Sequence, residues 1–313
     1  MSPRPQIAVV IPARNAAATI ERCLRCVAQQ TLRAASETIL VDDGSTDATV
    51  DRAVAAAAAA GLELRIERLE GHGPAAARNH GAGVTTAPAL AFLDADCFPV
   101  PGWLESGLAA LAEARFVQGR VTPDPEFVRG PFDRTLHVDG PSPLFESANL
   151  FVERDLFERL GGFESWLEPD VGKAVAEDVW FGWRARRAGE RAGFAPDALV
   201  HHAVFRDGAV AHVLERRRLS HFPAMAAKVP ELRRELFFAG CFLSRRTAAF
   251  DLALLGLLAR RRSLALPYVA MLLAEALPWS RLAAQVVPVR VAADAIGLSA
   301  LVRGSLKRRS VVL

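Results

Sequence analysis

Cysteine is scarce in this chain: four among 313 residues, Cys23, Cys26, Cys97 and Cys241. So few excludes a disulfide framework and points to a reducing compartment. Cys23 and Cys26 form a C-x-x-C, but inside a helical pattern and without a second cysteine or histidine pair at metal spacing, which argues against zinc or redox chemistry. The first six residues also lack a basic region followed by an apolar core and a cleavage site. They run straight into a strand pattern, so the N-terminal body is expected in the cytosol. Aromatic and basic residues nowhere interleave as a base-stacking surface would require, so no nucleic-acid partner is expected.

What is present begins with hydrophobicity. Hydrophobic residues make up 51% of the chain and charged residues 23%, which calls for a packed core rather than disorder. The formal net charge of +3 conceals an asymmetry. Residues 213–313 carry 17 Lys and Arg against 6 Asp and Glu, while residues 1–212 carry 21 against 29. The acidic part suits an enzyme body that handles cations, and the basic part suits an anionic partner surface.

Ile7–Pro12 and Glu37–Asp42 read as buried parallel strands, Leu62–Arg68 as a third and Ala89–Leu93 as a fourth. Between them lie helical patterns at Ala17–Gln30, with Ile20, Leu24 and Val27 on one face, at the alanine-rich Ala48–Ala60, and at Pro74–Ala82. This alternation predicts a mostly parallel sheet flanked by helices. In such sheets ligands bind beyond the carboxyl ends of the strands. The polar motifs fall at those ends: Ala13-Arg14-Asn15, Asp42-Asp43 and Asp94-Ala95-Asp96. Residues 119–148, rich in Pro and Gly, read as loops and irregular strands. A short helix at Asp155–Leu160 closes on Gly161-Gly162, a helix over Ala176–Ala188 ends at Gly189, and Leu199–Phe205 reads as a final strand.

Each motif alone is ambiguous. Asp94 and Asp96, two residues apart after a buried strand, fit a divalent cation or a capped turn equally well. The run Asp42-Asp43-Gly44-Ser45-Thr46-Asp47 fits a base- or ribose-binding acid, or a plain junction in which Ser45 or Thr46 caps the next helix. Arg78 near a helix start suits an anion, or simply faces solvent. Glu177-Asp178 sits where the helix macrodipole favours negative charge. His201-His202 offers a metal ligand at a strand end, although lone histidines are more often structural.

In their order these stretches resemble glycosyltransferase family 2, of the GT-A fold. The pieces are Val9–Asn15, Asp42–Asp47, Ala77-Arg78-Asn79, Asp94-Ala95-Asp96, Gly161-Gly162-Phe163 and Glu177-Asp178, covering residues 6–205. The resemblance implies a Rossmann-like α/β catalytic domain over residues 1–210. Residues 1–100 would be the nucleotide-binding half and 101–210 the acceptor half with the catalytic base. It implies a donor site of Pro12, Ala13, Arg14, Asn15, Asp42, Asp43, Arg78, Asp94 and Ala95. Asp43 would contact the base, and Arg78 would lie near the base and diphosphate. Mg2+ or Mn2+ would be held by Asp96 and Asp94, with His202 slightly preferred over His201 as a third ligand. Asp178, beside Glu177, would be the base that activates an acceptor hydroxyl for inverting displacement. Gly162, Phe163 and Trp180 would form the acceptor loop. The partners implied are a nucleotide-diphosphate sugar and a hydroxyl-bearing glycan or lipid.

Two departures sharpen the expectation. No Gln-x-x-Arg-Trp follows the base, where Arg216–Phe222 stands instead, so a single-addition enzyme is expected rather than a polymerase. The loop after the first strand is not the Gly-rich, basic loop of a nucleotidyltransferase, and the set Asp43, Asp96 and Asp178 argues against a degenerate binding module. Residues 211–313 read as a basic and apolar helical appendage. Leu252–Ala259 and Ser263–Leu277 are apolar, with Arg260-Arg261-Arg262 between them. Ser263–Trp279 falls short of a span, contains Glu275 and carries Pro267 and Pro278, so a peripheral or monotopic attachment to an anionic cytoplasmic membrane face is expected.

Overall fold

A computed structural model of the chain describes residues 5–167 and 175–313. They form two units, one of residues 5–128, 135–167 and 175–204, the other of 129–134 and 205–313. Of the first six residues, expected to lead directly into a strand, residues 1–4 lie outside the described residues.

The first unit is built on an eight-stranded sheet. Its strands are β1 (Ile7–Ala13), β2 (Ser36–Asp43), β3 (Leu64–Leu69), β4 (Ala89–Leu93), β5 (Cys97–Pro99), β6 (Phe116–Pro123), β7 (Asn149–Glu153) and β8 (Ala192–His202), in the order β3-β2-β1-β4-β7-β6-β8-β5. β1 pairs in parallel with β2 on one side and β4 on the other, and β2 in parallel with β3. β7 runs antiparallel to both β4 and β6, β8 runs parallel to β6, and β5 runs antiparallel to β8. β1 and β4 are buried almost throughout, as expected for strands covered on both faces. The chain crosses from β1 to β2 on one side and reaches β4 on the other. The carboxyl ends of β1, β2 and β4 therefore flank the crevice where ligands bind in such sheets.

Helices α1 (Ile20–Ala28), α2 (Thr49–Ala60), α3 (Pro74–Gly83), α4 (Trp103–Leu111), α5 (Arg154–Arg159) and α6 (Glu177–Arg187) flank the sheet. α2 ends on Gly61 at φ 58, a left-handed cap that closes the alanine run. α3 lies against β1 and β2 and comes very close: a Cβ on Gly81 would sit 2.4 Å from Val10 Cγ1. The mostly parallel sheet and its helices match the expectation, with differences at the edges. β5 and β7 carry no strand signal, because β5 has three residues and β7 follows a Pro- and Gly-rich stretch, and β6 falls partly within the stretch of loops and irregular strands expected over 119–148. The last strand begins at Ala192 rather than Leu199 and ends at His202. It is interrupted by a register shift opposite Gly119 and Arg120 that hides its periodicity.

That irregularity has its own buried polar support. Asn149, fully buried, donates from Nδ2 to the carbonyls of Arg120 (2.9 Å) and Ala198 (2.7 Å) and accepts from Trp103 Nε1 (2.8 Å). Gly119 leaves the room, since a Cβ there would lie 2.2 Å from Asn149 Nδ2. The side chain thus satisfies carbonyls that the broken ladder leaves unpaired.

The second unit is helical: α7 (Ala209–Glu215), α8 (Phe222–Lys228), α9 (Leu232–Glu235), α10 (Arg245–Leu258), α11 (Leu266–Ala276) and α12 (Ala283–Arg308), with short 3-10 turns between some of them. Ser244 and Thr247 form a capping box on α10. Phe250 and Tyr268 pack edge to face at 5.1 Å within a cluster that includes Ala253 and Leu272. Arg246 joins the three long helices, bonding Glu275 of α11 and both oxygens of Asp294 on α12. Arg262–Arg308 form one helical run of 47 residues, long and apolar enough by length and composition to cross a membrane. That exceeds the Ser263–Trp279 segment legible in the sequence, because the run continues past Pro278 through a kink at Trp279 (φ −113°, ψ 30°).

Replacing Asn149 by Ala removes three buried hydrogen bonds at once. It is expected to destabilise the protein by about 3 kcal/mol, read from the urea midpoint and slope. A loss below about 1 kcal/mol would mean that the bulge does not need this side chain.

Candidate active site

The loops at the strand ends are stitched to one another. Asn15, in the left-handed region at φ 53, donates its amide to Ser45 Oγ (2.9 Å) and accepts the Thr46 amide on Oδ1 (2.8 Å). Thr49 Oγ1 accepts the Ala16 amide (2.7 Å), and Asp47 Oδ2 accepts that of Ala17 (3.2 Å). Neither Ser45 nor Thr46 caps α2; the Asp47 carboxylate does that work by accepting the Thr49 amide (3.0 Å). Asp42 accepts the Ser45 amide (3.2 Å) and closes the turn.

Asp43 is a latch. Its two oxygens accept the amides of His72 (2.7 Å) and Gly73 (2.8 Å), and the residue is buried. Gly71 and Gly73 supply the left-handed turns (φ 83 and 91) that aim these amides at it. A Cβ on Gly71 would lie 3.6 Å from Arg14 Nη1, so the Arg14 guanidinium runs along this loop, an exposed cation beside the crevice. Pro12 and Ala13 end β1 directly beneath it.

Arg78 differs from both sequence readings. It does not face solvent, and both of its terminal nitrogens bond carboxylates of the protein. It is buried, with Nη2 on Asp94 Oδ1 (2.7 Å) and Nη1 on Glu177 Oε1 (2.9 Å). Burial opposes its charge, but Asp94 and Glu177 outweigh that and hold the guanidinium more firmly protonated than usual. The turn after β4 is thereby joined to the start of α6. Next to Glu177, Asp178 is half-buried: its Oδ2 accepts the Ser147 amide (3.2 Å) and hydroxyl (3.4 Å), and its Oδ1 the Val179 amide (2.8 Å). Burial first, and the Glu177 charge second, push its carboxyl up to about 7, against the pull of Arg78. Ser147 carried no signal in the sequence because β7, which it precedes, was not legible.

Asp96 ends the Asp94-Ala95-Asp96 turn, and its Oδ1 lies 3.5 Å from His202 Nε2. His202 Nδ1 sits 2.7 Å from the Ala203 carbonyl and 3.4 Å from the Leu136 amide nitrogen, so its Nε2 is the ring nitrogen that faces Asp96. Two ligands of one small divalent ion stand about 3 Å apart, so carboxylate and imidazole fit such an ion after a small adjustment. Asp94 has one oxygen committed to Arg78 and is partly exposed. His201 lies apart from Asp96: successive strand residues face opposite ways, and its Nδ1 pairs with Thr122 Oγ1 (2.9 Å) on the side of Asp124 and Arg22.

The expected acceptor loop is only partly a surface. The Phe163 ring is buried among Phe92, Phe157 and Phe181, at 5.0 to 5.3 Å, so it supports the loop from beneath rather than meeting a ligand. Asn79 binds the Phe163 backbone reciprocally (2.7 and 2.8 Å), and Gly162 fits only without a Cβ, which would lie 2.6 Å from Asn79 Oδ1. Trp180, half-buried, donates to Glu164 (2.7 Å).

The sequence profile described as Glycosyl transferase family 2 matches residues 8–161. Over 210 residues the chain is 32% identical to Glycosyltransferase AglE of Haloferax volcanii, a match spanning 63% of this chain and 67% of that protein. Among solved structures it is similar to the mannosyltransferase PcManGT from Pyrobaculum calidifontis in complex with GDP-Man and Mn2+. The TM-score is 0.61 at 22% identity, covering 98% of this chain and 88% of that one. It is also similar to residues 1–349 of S. aureus TarS in complex with UDP-GlcNAc, with a TM-score of 0.51 at 16% identity, covering 97% and 92% of the two chains. These two likenesses speak for the fold, and the sequence relatives speak for the family. The chain belongs to glycosyltransferase family 2 and carries the GT-A fold.

Proposed function

We propose that the protein transfers one sugar from a nucleotide-diphosphate donor to an acceptor hydroxyl with inversion, using Mg2+ or Mn2+. The observation that carries this reading is the half-buried Asp178, raised to about 7 and tied through Glu177 and Arg78 to Asp94. A general base works best with a pKa near the operating pH, and this carboxyl has one. Pro12, Ala13, Arg14, Asp42, Asp43 and Ala95 would line the nucleotide side, with Arg14 as the exposed cation for the diphosphate. Asn15 would shape that side through the loop it pins, and Arg78 would act as a positioning residue through Asp94. Asp96 and His202 would hold the cation, with the second oxygen of Asp94 close by; the ion would neutralise charge on the departing diphosphate. Asp178 would take the acceptor proton while Glu177 keeps it oriented, and Gly162 and Trp180 would border the acceptor. PcManGT was solved with GDP-Man and Mn2+ and TarS with UDP-GlcNAc, which supports a donor of this class.

Residues 1–100 would serve the nucleotide, 101–210 the acceptor and 211–313 attachment to a membrane. The absence of Gln-x-x-Arg-Trp supports a single addition, to a cell-envelope glycan, glycolipid or lipid-linked acceptor. The second unit exposes Leu255, Leu257, Leu258, Leu266, Leu273 and Leu277 around Arg260-Arg261-Arg262, a composition suited to the anionic cytoplasmic leaflet.

Since Asp178 must be deprotonated to act, kcat/KM should rise about tenfold per pH unit below roughly pH 7 and level off above it. Asp178→Asn should lower kcat by about 10² to 10⁴ and flatten that limb, with donor affinity retained. An unchanged profile in the variant would remove Asp178 from the role. For the cation, Asp96→Ala and His202→Ala should each weaken Mn2+ binding on the order of 10 to 100-fold, while His201→Ala stays within about twofold. Mn2+ titration by electron paramagnetic resonance checks this, and equal losses at the two histidines would reject the assignment. Replacing Arg260, Arg261 and Arg262 by Ser should cut binding to anionic vesicles on the order of 100-fold, at about 1 kcal/mol per arginine. Sedimentation that is insensitive to vesicle charge would count against the leaflet reading.

A further inference from the structure

Cys97 follows Asp96 directly and lies opposite His202 in the β5–β8 ladder. Residues paired across two strands project to the same face, so thiol and imidazole share one side of the sheet. The preceding turn brings the Asp96 carboxylate to the same place. One donor atom from each of the three lies within 4.8 Å of the other two. The spacing follows from the local fold. Cys97 donates its amide to the Asp94 carbonyl (3.0 Å) and Ala203 donates its own to the Asp96 carbonyl (2.9 Å), so turn and strand ends are fixed together. Cys97 is fully buried and His202 nearly so, while the Asp96 side chain is 29% exposed and forms the entrance.

The donor set is mixed. Mg2+ and Mn2+ favour oxygen ligands and have little use for sulfur, whereas thiolate with imidazole and carboxylate suits zinc and its softer congener cadmium. A tetrahedral ion with bonds of about 2.0 to 2.3 Å keeps its ligands about 3.3 to 3.8 Å apart, a contraction of roughly 1 Å that side-chain rotation can supply.

We propose that Asp96, Cys97 and His202 form a three-donor site for a thiophilic divalent cation, Zn2+ or Cd2+, which competes with Mg2+ or Mn2+ for the two ligands they share. On binding, the Cys97 S–H bond breaks, a metal–sulfur bond forms and the proton passes to solvent; nothing is oxidised or reduced. The competing ion is drawn toward the β5–β8 side of the turn, so transfer is inhibited rather than supported. The proposal rests on the reading of Asp96 and His202 as cation ligands, and Cys97 is its addition.

Cd2+ titration of the metal-free full-length protein tests it, followed by the ultraviolet thiolate-to-cadmium charge-transfer band, with Mn2+ binding measured in parallel. The band should saturate at one equivalent and Cd2+ should displace bound Mn2+. In Cys97→Ser the band should vanish and Cd2+ affinity fall at least about tenfold while Mn2+ still binds. Cys23→Ser, a nearby buried thiol outside the set, should behave as wild type. His202→Ala should lose Cd2+ affinity as well, which keeps the test open if Cys97→Ser folds poorly. Mn2+ binding with no band, or with a band that survives Cys97→Ser, overturns the proposal while sparing the cation site. Failure of both ions to bind overturns the two together.

Discussion

The site hangs on one buried guanidinium. Arg78 spans from the turn after β4 to the first residue of α6, holding Asp94 with one nitrogen and Glu177 with the other. Three carboxylates, counting Asp178, surround a single positive charge. One guanidinium leaves three carboxylates two charges short of neutrality, and Asp178 removes one of these by keeping its proton more firmly than usual. The raised Asp178 carboxyl thus follows from its desolvation first and from the Glu177 charge of the cluster second. Removing one partner of such a buried pair typically costs about 3 to 5 kcal/mol, because the remaining charge is stranded. The elements that would bind donor and base therefore cannot drift apart independently.

A second constraint is that most polar residues of the motifs are spent on the protein itself. Asn15, Ser45, Asp47 and Thr49 join the loop after β1 to the loop after β2, and Asp43 fastens the loop before α3. Three chain segments distant in sequence become one rigid rim. Preorganisation of this kind lowers the entropy lost when a flexible diphosphate is bound. The glycines at 71 and 73 are part of the same arrangement, since only their left-handed backbone directs two successive amides at one carboxylate.

Much of this architecture was legible in the chain. The first four strands and three helices announce themselves by burial and period, and the acids at strand ends mark the crevice. The rest was not, for physical reasons. β6 and β7 bracket a loop-rich stretch, and β8 breaks its own alternation at the bulge, so no window of sequence shows a clean period of two. The starts of α1 and α2 lie later than their patterns suggest, because polar residues ahead of them, such as Asp47 before α2, cap from outside the helix. Motif spacing located Arg78 but not its burial, which depends on Glu177, 99 residues away. It likewise separated His202 from His201 only slightly, because their difference lies in which face of the strand each occupies.

That last point reaches beyond this site. In a strand, neighbouring side chains are sorted to opposite sides, so position is a matter of parity as much as of distance. The segment from Leu199 to His202 is short and held from both sides, by β6 and by β5. Within it, gaining or losing one residue would turn His201 or its replacement toward Asp96 and send His202 to the far side, while a change of two would restore the arrangement. Around His202 the segment's composition can therefore vary more easily than its length, since a change of one residue would have to be absorbed by a bulge for His202 to keep its side.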